Sequence, residues 1–273
     1  MAQSPYTDLA RPPLNPVALR RALVVPGGLW TDLALHEATA STNADAATAA
    51  REGVPEGLVV VAERQTAGRG RLDRRWESPA RAGLAVSVLL RPEKVPAHRY
   101  GWLPLLAGVA LTGAVRGIAE LDAVLKWPND LLVDGRKCGG ILAEAVHDAV
   151  ILGIGLNVTL RSDELPGPDA TSLALEGAGS TDRDPLLRAL LRALAQWYER
   201  WRDAEGDPDT SGLRAAYLDD CATLGQQVRV ALPDGADLVG MATEIDDDGR
   251  LVVQPEGAPA QAVASGDVVY VRR

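Results

Sequence analysis

The segment Glu63–Trp76, ERQTAGRGRLDRRW, sets five arginines (Arg64, Arg69, Arg71, Arg74 and Arg75) against Glu63 and Asp73. Gly68 and Gly70 admit positive φ and close backbone approach. Arginine forks beside open backbone N–H groups suit an anionic ligand, a phosphate or a carboxylate. Taken alone, the same residues also read as a solvated basic turn or a basic loop for nucleic acid.

Further along, Lys126-Trp127-Pro128-Asn129-Asp130 gathers a cation, an amide and a carboxylate around a turn. A lysine near phosphate and a carboxylate near a metal or an amine fit phosphoryl or nucleotidyl chemistry, although Asn-Asp is also an ordinary turn pair. In Gly135-Arg136-Lys137-Cys138-Gly139-Gly140-Ile141-Leu142, a lysine beside paired glycines can aim its ammonium at an anion held against exposed backbone. Cys138 has no histidine near it in sequence and reads as a small space-filler. Gly153-Ile154-Gly155-Leu156-Asn157 is a glycine-spaced strand that departs from the dinucleotide fingerprint. Ser41-Thr42-Asn43 stands before an alanine-rich helix, an N-cap whose hydroxyls and amide can also face a polar ligand.

These clusters need a scaffold. Leu58–Glu63, Gly83–Leu90, Leu125–Trp127, Leu131–Val133, Lys137–Ala145 and Ala149–Asn157 read as strands, with a hairpin turn at Asp134-Gly135. Tyr100–Glu120 reads as a buried helix, and Asp184-Pro185 as the cap and first residue of an amphipathic helix running to about Asp203. Residues 1–30 are rich in Pro and Arg and read as a tail that docks on the body, with a short helix at Val17–Val24. After Cys221 come five short alternating segments, Gln227–Ala231, Leu238–Ile245, Leu251–Gln254, Gln261–Ala264 and Val268–Val271, a small SH3-like β-barrel. The turns between them are Pro233-Asp234-Gly235, Asp246–Gly249 and Glu256–Pro259, of which the acidic Asp246–Gly249 is expected to meet a partner or the nucleotide side. The division expected is a tail (1–30), a catalytic domain (31–222) and the barrel (223–273).

The 273 residues, 47% hydrophobic and 24% charged, have the composition of a globular chain. No continuous apolar run reaches the roughly 18 residues of a membrane span, and the first residues lack the cationic start and apolar core of a signal peptide. Two cysteines and three scattered histidines exclude a disulfide framework or a thiolate metal cluster. The reading is cytoplasmic, and the net charge of −9 disfavours a nucleic-acid binder.

The order and intervals of Ser41-Thr42-Asn43, Gln65–Trp76 with Ser78-Pro79, Lys126–Asp130, Gly135–Leu142 and Gly153–Asn157 resemble those of the biotin protein ligases, over about residues 35–160 and more loosely through the barrel. The resemblance implies an α+β fold: a mixed β-sheet flanked by helices, akin to class II aminoacyl-tRNA synthetases, followed by the SH3-like barrel. It further implies that biotin and Mg-ATP give biotinoyl-5′-adenylate, which a lysine of a biotin carboxyl carrier domain then attacks. With no room for a winged helix-turn-helix, the chain resembles the monofunctional group, acting on no DNA and no membrane.

Biotin's carboxylate is ionised at neutral pH, so the first step needs alignment and charge cancellation rather than a base. By family motif Lys137 meets the biotin carboxylate and the α-phosphate. Arg69 and Arg71 hold the same anionic region, with Gly68 and Gly140 giving backbone access. Ser41, Thr42, Asn43 and Gln65 take the ureido head. Arg71 again, with Arg74, Trp76, Lys126, Asn129 and Asn157, belongs to the adenylate side, with Trp76 closing the loop. Asp130 receives or steers the acceptor lysine; ligands for Mg²⁺ are not identified. Asp73 stands where the family often has glycine and is expected to stiffen the loop or to pair with Arg74 or Arg75. Cys138 stands for a usual aliphatic residue. A lipoate–protein ligase, a biotin-sensing DNA-binding regulator and an RNA-binding module are the alternatives.

Only three of the 28 basic residues are lysine: Lys94, Lys126 and Lys137. Arginine therefore serves wherever a surface cation suffices, and a lysine retained at 137 implies a space too narrow for a guanidinium. Lys137→Arg is expected to slow biotin-dependent pyrophosphate release on the order of 100-fold, the loss typical of a misplaced oxyanion donor. Lys94→Arg, between Pro92 and Pro96, should be silent. Near-normal release from Lys137→Arg, with the circular dichroism spectrum unchanged in both variants, would show that charge alone matters there.

Overall fold

The computed structural model describes residues 11–232 and 235–271, with Asp73 described by its backbone only; the expected turn at Pro233-Asp234 lies outside the described residues. Seven strands, β1 (Asp32–His36), β2 (Leu58–Ala62), β3 (Gly83–Leu90), β4 (Ala123–Lys126), β5 (Asp130–Val133), β6 (Arg136–Val146) and β7 (Ala149–Asn157), form one sheet. Its order is β1-β2-β3-β7-β6-β5-β4. β1 and β2 are parallel and the remaining neighbours antiparallel, so the sheet is mixed, as expected. β3 and β7 are mostly apolar because one face packs into the main core and part of the other lies under α2. Asp134 and Gly135 both take positive φ (48° and 72°), closing the β5–β6 hairpin with the two residue types that tolerate it.

One face of the sheet carries α3 (Trp102–Ala114) and α4 (Arg183–Asp203), with α1 (Pro16–Leu23) packed on α4 and β1. The other face is covered in part by α2 (Thr42–Arg51), whose Ala46, Ala47 and Ala50 meet Val60, Leu89 and Ile151. The alanines let this short helix lie close to the sheet, and its N-terminus ends over the middle of the strands.

The long helix is segmented. Ala97–Gly101 is a 3₁₀ turn, α3 follows, and Val115–Ala119 is a π turn ending at left-handed Glu120. Ala97–Ala119 is long and apolar enough to cross a membrane by length and composition, although polar residues interrupt its apolar run; 72% of its apolar window is buried inside the protein, as a core helix. The amphipathic helix starts one residue before the expected cap. Asp182 is the N-cap, its side chain accepting from the Asp184 N–H at 3.0 Å, so Pro185 falls at the third helical position, where a missing N–H costs nothing.

Residues 11–30 are built into this layer. Leu14, Leu19, Leu23 and Trp30 are buried, and the Trp30 indole donates to the Leu191 carbonyl at 2.9 Å. Glu63, counted in the sequence as opposing the arginine loop, points the other way. Its carboxylate accepts from Arg183 (2.5 Å) and from the Leu14 N–H (2.7 Å), and Arg183 also donates to the Pro12 carbonyl at 2.6 Å.

The C-terminal residues form a second, antiparallel sheet of β8 (Gln227–Ala231), β9 (Asp237–Ile245), β10 (Leu251–Gln254), β11 (Gln261–Val263) and β12 (Asp267–Tyr270), in the order β11-β10-β9-β8-β12. α5 (Leu213–Asp220) leads into it. The acidic turn Asp246–Gly249 docks on the start of α3 through its backbone, with the Asp247 side chain left exposed. The Trp102 indole donates to the Asp247 carbonyl at 2.8 Å, the Trp127 indole to the Gly249 carbonyl at 3.1 Å, and the Asp248 carbonyl lies 2.2 Å from where a Cβ on Gly101 would sit.

The Glu63–Arg183 pair is 3% and 4% exposed, and breaking it strands a buried guanidinium. Glu63→Gln should therefore lower stability by about 3–5 kcal/mol, the usual cost of an uncompensated buried charge. An unchanged midpoint in urea unfolding would show the N-terminal segment to be held without it.

Candidate active site

The uncovered part of the second sheet face is a cavity of about 450 Å³. Register explains why it is empty. Gly155 of β7 pairs with Ala85 of β3 and Gly140 of β6, and Gly153 pairs with Ser87 and Leu142. These positions share one face by the alternation of a strand, and most carry little or no side chain. A Cβ on Gly153 would lie 2.1 Å from Asn43 Oδ1, and one on Gly155 2.4 Å from the Trp76 ring. The glycine spacing in GIGLN is thus the imprint of two other side chains laid across the strand.

Lys137 reaches this face through a bulge. Leu131 pairs with Gly139 and Leu132 with Lys137, so Cys138 is the extra residue on β6. The bulge resets the alternation, turning Cys138 into the core and Lys137 toward Gly140, as bulges beside sites commonly do. Burial pushes the Cys138 thiol up to about 12, which keeps it neutral and suits the space-filling reading.

One end of the cavity is polar and neutral. Ser41 caps α2; the Thr42 N–H and hydroxyl donate to Gln65 Oε1 at 2.9 and 3.1 Å. The Ser87 hydroxyl lies 2.7 Å from Thr42 Oγ1 and 2.6 Å from Asn43 Oδ1, and Asn43 donates to Glu144 Oε2 at 2.6 Å.

The other end is cationic. Lys137 Nζ lies 2.5 Å from Asp130 Oδ1, an ion pair by distance rather than an aligned hydrogen bond, and 5.9 Å from the centre of the Trp76 ring. Arg71 donates to Asn129 Oδ1 at 3.2 Å, and Asn129 is itself pinned by its amide to the Ile141 carbonyl at 3.0 Å. Burial holds the Lys126 ammonium below its ordinary range, against the pull of Asp130 and with Lys137 pushing the same way. Burial likewise lowers Arg71, and Asp130 opposes it. Lys126 sits 5.1 Å from the centre of the Tyr270 ring.

The arginine loop folds over the opening. The Trp76 N–H donates to the Gly68 carbonyl at 2.9 Å and the Gly70 N–H to the Arg74 carbonyl at 2.6 Å. Gly68 is required because a Cβ there would lie 2.3 Å from the Trp76 carbonyl. Arg69 pairs with Glu144 at 3.0 Å, Arg74 with Asp267 at the start of β12, and Arg75 with Glu77 at 3.4 Å. The Asp73 side chain, expected to pair with Arg74 or Arg75, lies outside the described residues.

Every site residue expected from the sequence borders the cavity except Gly68, which shapes the loop from behind. Arg69 and Arg71, expected to hold one anionic region, diverge toward Glu144 and Asn129. The Asn157 amide nitrogen, expected on the nucleotide side, is committed to the Thr171 carbonyl at 2.9 Å. Two residues went unnoticed. Ser87 is the one polar side chain in the apolar strand GLAVSVLL, and that is its signal. Glu144 follows Gly140 and Leu142 on alternate positions of β6, so the same alternation carries it onto their face. The wall formed by Gly266–Val269 has no signal of its own, since β12 reads simply as a barrel strand.

Residues 36–159 match the Biotin/lipoate A/B protein ligase family, and residues 223–270 match the family described as Biotin protein ligase C terminal domain. The chain is 43% identical to the biotin--[acetyl-CoA-carboxylase] ligase of Mycobacterium tuberculosis, over 97% of this chain and 98% of that protein. It is 33% identical to the bifunctional ligase/repressor BirA of Bacillus subtilis, over 81% of this chain and 69% of that one. Its fold superimposes on the biotin protein ligase from Aquifex aeolicus in complex with biotin and ATP with a TM-score of 0.73 and 27% identity, covering 89% of this chain and 100% of that one. The chain belongs to the biotin protein ligases.

Gly155→Ala is expected to displace the Trp76 ring and loosen the loop. Tryptic cleavage between residues 68 and 76 should rise by about tenfold, and the substitution should add nothing to Trp76→Ala, because contacting residues are not additive. Unchanged cleavage would show that the ring does not hold the loop.

Proposed function

We propose that this cavity is where biotin and ATP react to biotinoyl-5′-adenylate and where the acceptor lysine of a biotin carboxyl carrier domain is then modified. The chain is an ATP-dependent ligase for biotin. The observation that carries the assignment of roles is the division of one cavity into a neutral hydrogen-bonding end and a cationic end.

The neutral end suits a ureido ring, which offers one carbonyl acceptor and two N–H donors. A buried group of that kind is held only if its hydrogen bonds are met, and Thr42, Asn43 and Gln65 supply both donors and acceptors. Lipoate's dithiolane has no such groups and would make no hydrogen bond to the Gln65 amide nitrogen, which favours biotin over lipoate. At the cationic end, Lys137 and Arg71 face the position of the carboxylate and the α-phosphate, while Lys126 and Asn129 stand toward the nucleotide. Their charges offset the repulsion between two anions brought together, and the fixed geometry supplies the alignment. Magnesium enters with ATP; among the described residues no group of three or more His, Cys, Asp or Glu converges.

In the second step the acceptor lysine arrives protonated, with an ordinary pKa of about 10.4. Asp130, at the edge of the cavity beside Lys137, is the carboxylate placed to steer it and to take its proton. The amine nitrogen attacks the acyl carbon, the acyl–phosphate bond breaks, and AMP leaves. The reading assigns the reaction to the cytoplasm and to the carrier of a biotin-dependent carboxylase.

Incubation of the chain with biotin, Mg-ATP and a biotin carboxyl carrier domain should give a streptavidin-reactive carrier, while lipoate should give no modified carrier. Lipoylation at a comparable rate would reverse the assignment of the neutral end, and a specific shift of DNA by the chain would favour a regulator.

A further inference from the structure

We infer that Glu144 is a positioning residue for the biotin end of the cavity, setting the orientation of Asn43 and Ser87 and tethering Arg69 of the arginine loop. The inference rests on the functional reading above and deepens it. Glu144 does not border the cavity. Its carboxylate joins two residues that do: Asn43 donates to Oε2 at 2.6 Å, and Arg69 lies 3.0 Å from Oε1. From Asn43 the contacts run through the fully buried Ser87 and through Thr42 to Gln65. Gln65 and Arg69 are four residues apart, so the contacts close into a ring through the loop itself.

An ionised carboxylate only accepts, whereas a primary amide both donates and accepts. Glu144, with the Leu142 carbonyl as a longer second acceptor at 3.5 Å, therefore obliges Asn43 to turn its nitrogen outward and its oxygen toward Ser87. The Ser87 hydroxyl then donates to Asn43, and the Thr42 hydroxyl is left to donate to Ser87 or to Gln65. Gln65 Oε1 accepts from the Thr42 backbone N–H as well as from its hydroxyl, which independently of Glu144 leaves the Gln65 amide nitrogen as a donor. One acidic side chain outside the cavity thus fixes the orientation of Asn43 and Ser87, beside a Gln65 held by backbone, and tethers Arg69 over the same end.

Glu144→Gln keeps the shape and removes that constraint. A glutamine offers one acceptor and one donor to two donors, so either Asn43 turns over and its contact with Ser87 reverses, or Arg69 is released. In biotin-dependent pyrophosphate release, E144Q should raise the KM for biotin about tenfold, the effect of one mismatched buried hydrogen bond, with the KM for ATP unchanged. E144D, which keeps the acceptor-only group, should recover part of the loss. Against a background of N43A with R69A, E144Q should have no further effect on the biotin KM. Circular dichroism and the thermal midpoint check the fold; should E144Q not fold, E144D carries the test with the same expected split between the two KM values. An unmoved biotin KM, equal rises in both KM values, or a full E144Q effect in the double-variant background would overturn the inference. Absence of biotin-dependent release by the unsubstituted chain would overturn the functional reading as well, so the two failures are told apart.

Discussion

The cavity exists because three neighbouring strands bring Gly140, Gly153, Gly155, Ala85 and Ser87 to one face in matched register. A sheet face is ordinarily filled, either by its own side chains or by a helix lying on it. Here α2 stops partway, and beyond its N-terminus the strands keep only backbone and small groups. Asn43 and Trp76 then lie where side chains of β7 would have been. The hydrogen-bonding end, the lid and the cationic end all depend on that vacancy. Its cost is met on the opposite face, where the same strands project Val, Leu and Ile into the main core.

Charge is handled by a second constraint. Lys137, Arg69, Arg71 and Arg74 crowd one opening, and each is placed against an acceptor of its own: Asp130, Glu144, Asn129 and Asp267. Asp267 belongs to the second sheet, so the cationic lid is anchored on both halves of the chain. The bulge at Cys138 is the local device that admits Lys137 to this set. Without it the alternation of β6 would send the lysine into the core and the thiol into the cavity.

Most of the sheet was legible because β3 and β7 are mostly apolar runs and Asp134-Gly135 is a strong hairpin signal. β1, with the sequence DLALH, is short and exposed at both ends, so little distinguishes it from a loop. α5 begins after a left-handed Gly212 with no capping side chain, which removes the usual start signal. The site residues were legible as clusters because each motif is local in sequence. What joins them is not: Ser87 and Glu144 act through register, Asp267 through the docking of the second sheet, and none of these follows from spacing along the chain. Nor does the sequence show that the carbonyls of the acidic turn Asp246–Gly249 are taken by Trp102 and Trp127.

Those two indole contacts make the second sheet more than an appendage. Trp102 and Trp127 are almost wholly buried, and each gives its ring N–H to a carbonyl of that one turn. A chain cut after α5 would leave two indole donors unmet and bare the apolar surface around the start of α3. The catalytic half alone would then present a sticky patch, prone to self-association. The two halves are therefore a single heritable unit: a recombination joint between residues 220 and 227 would need a substitute turn with carbonyls in the same two places.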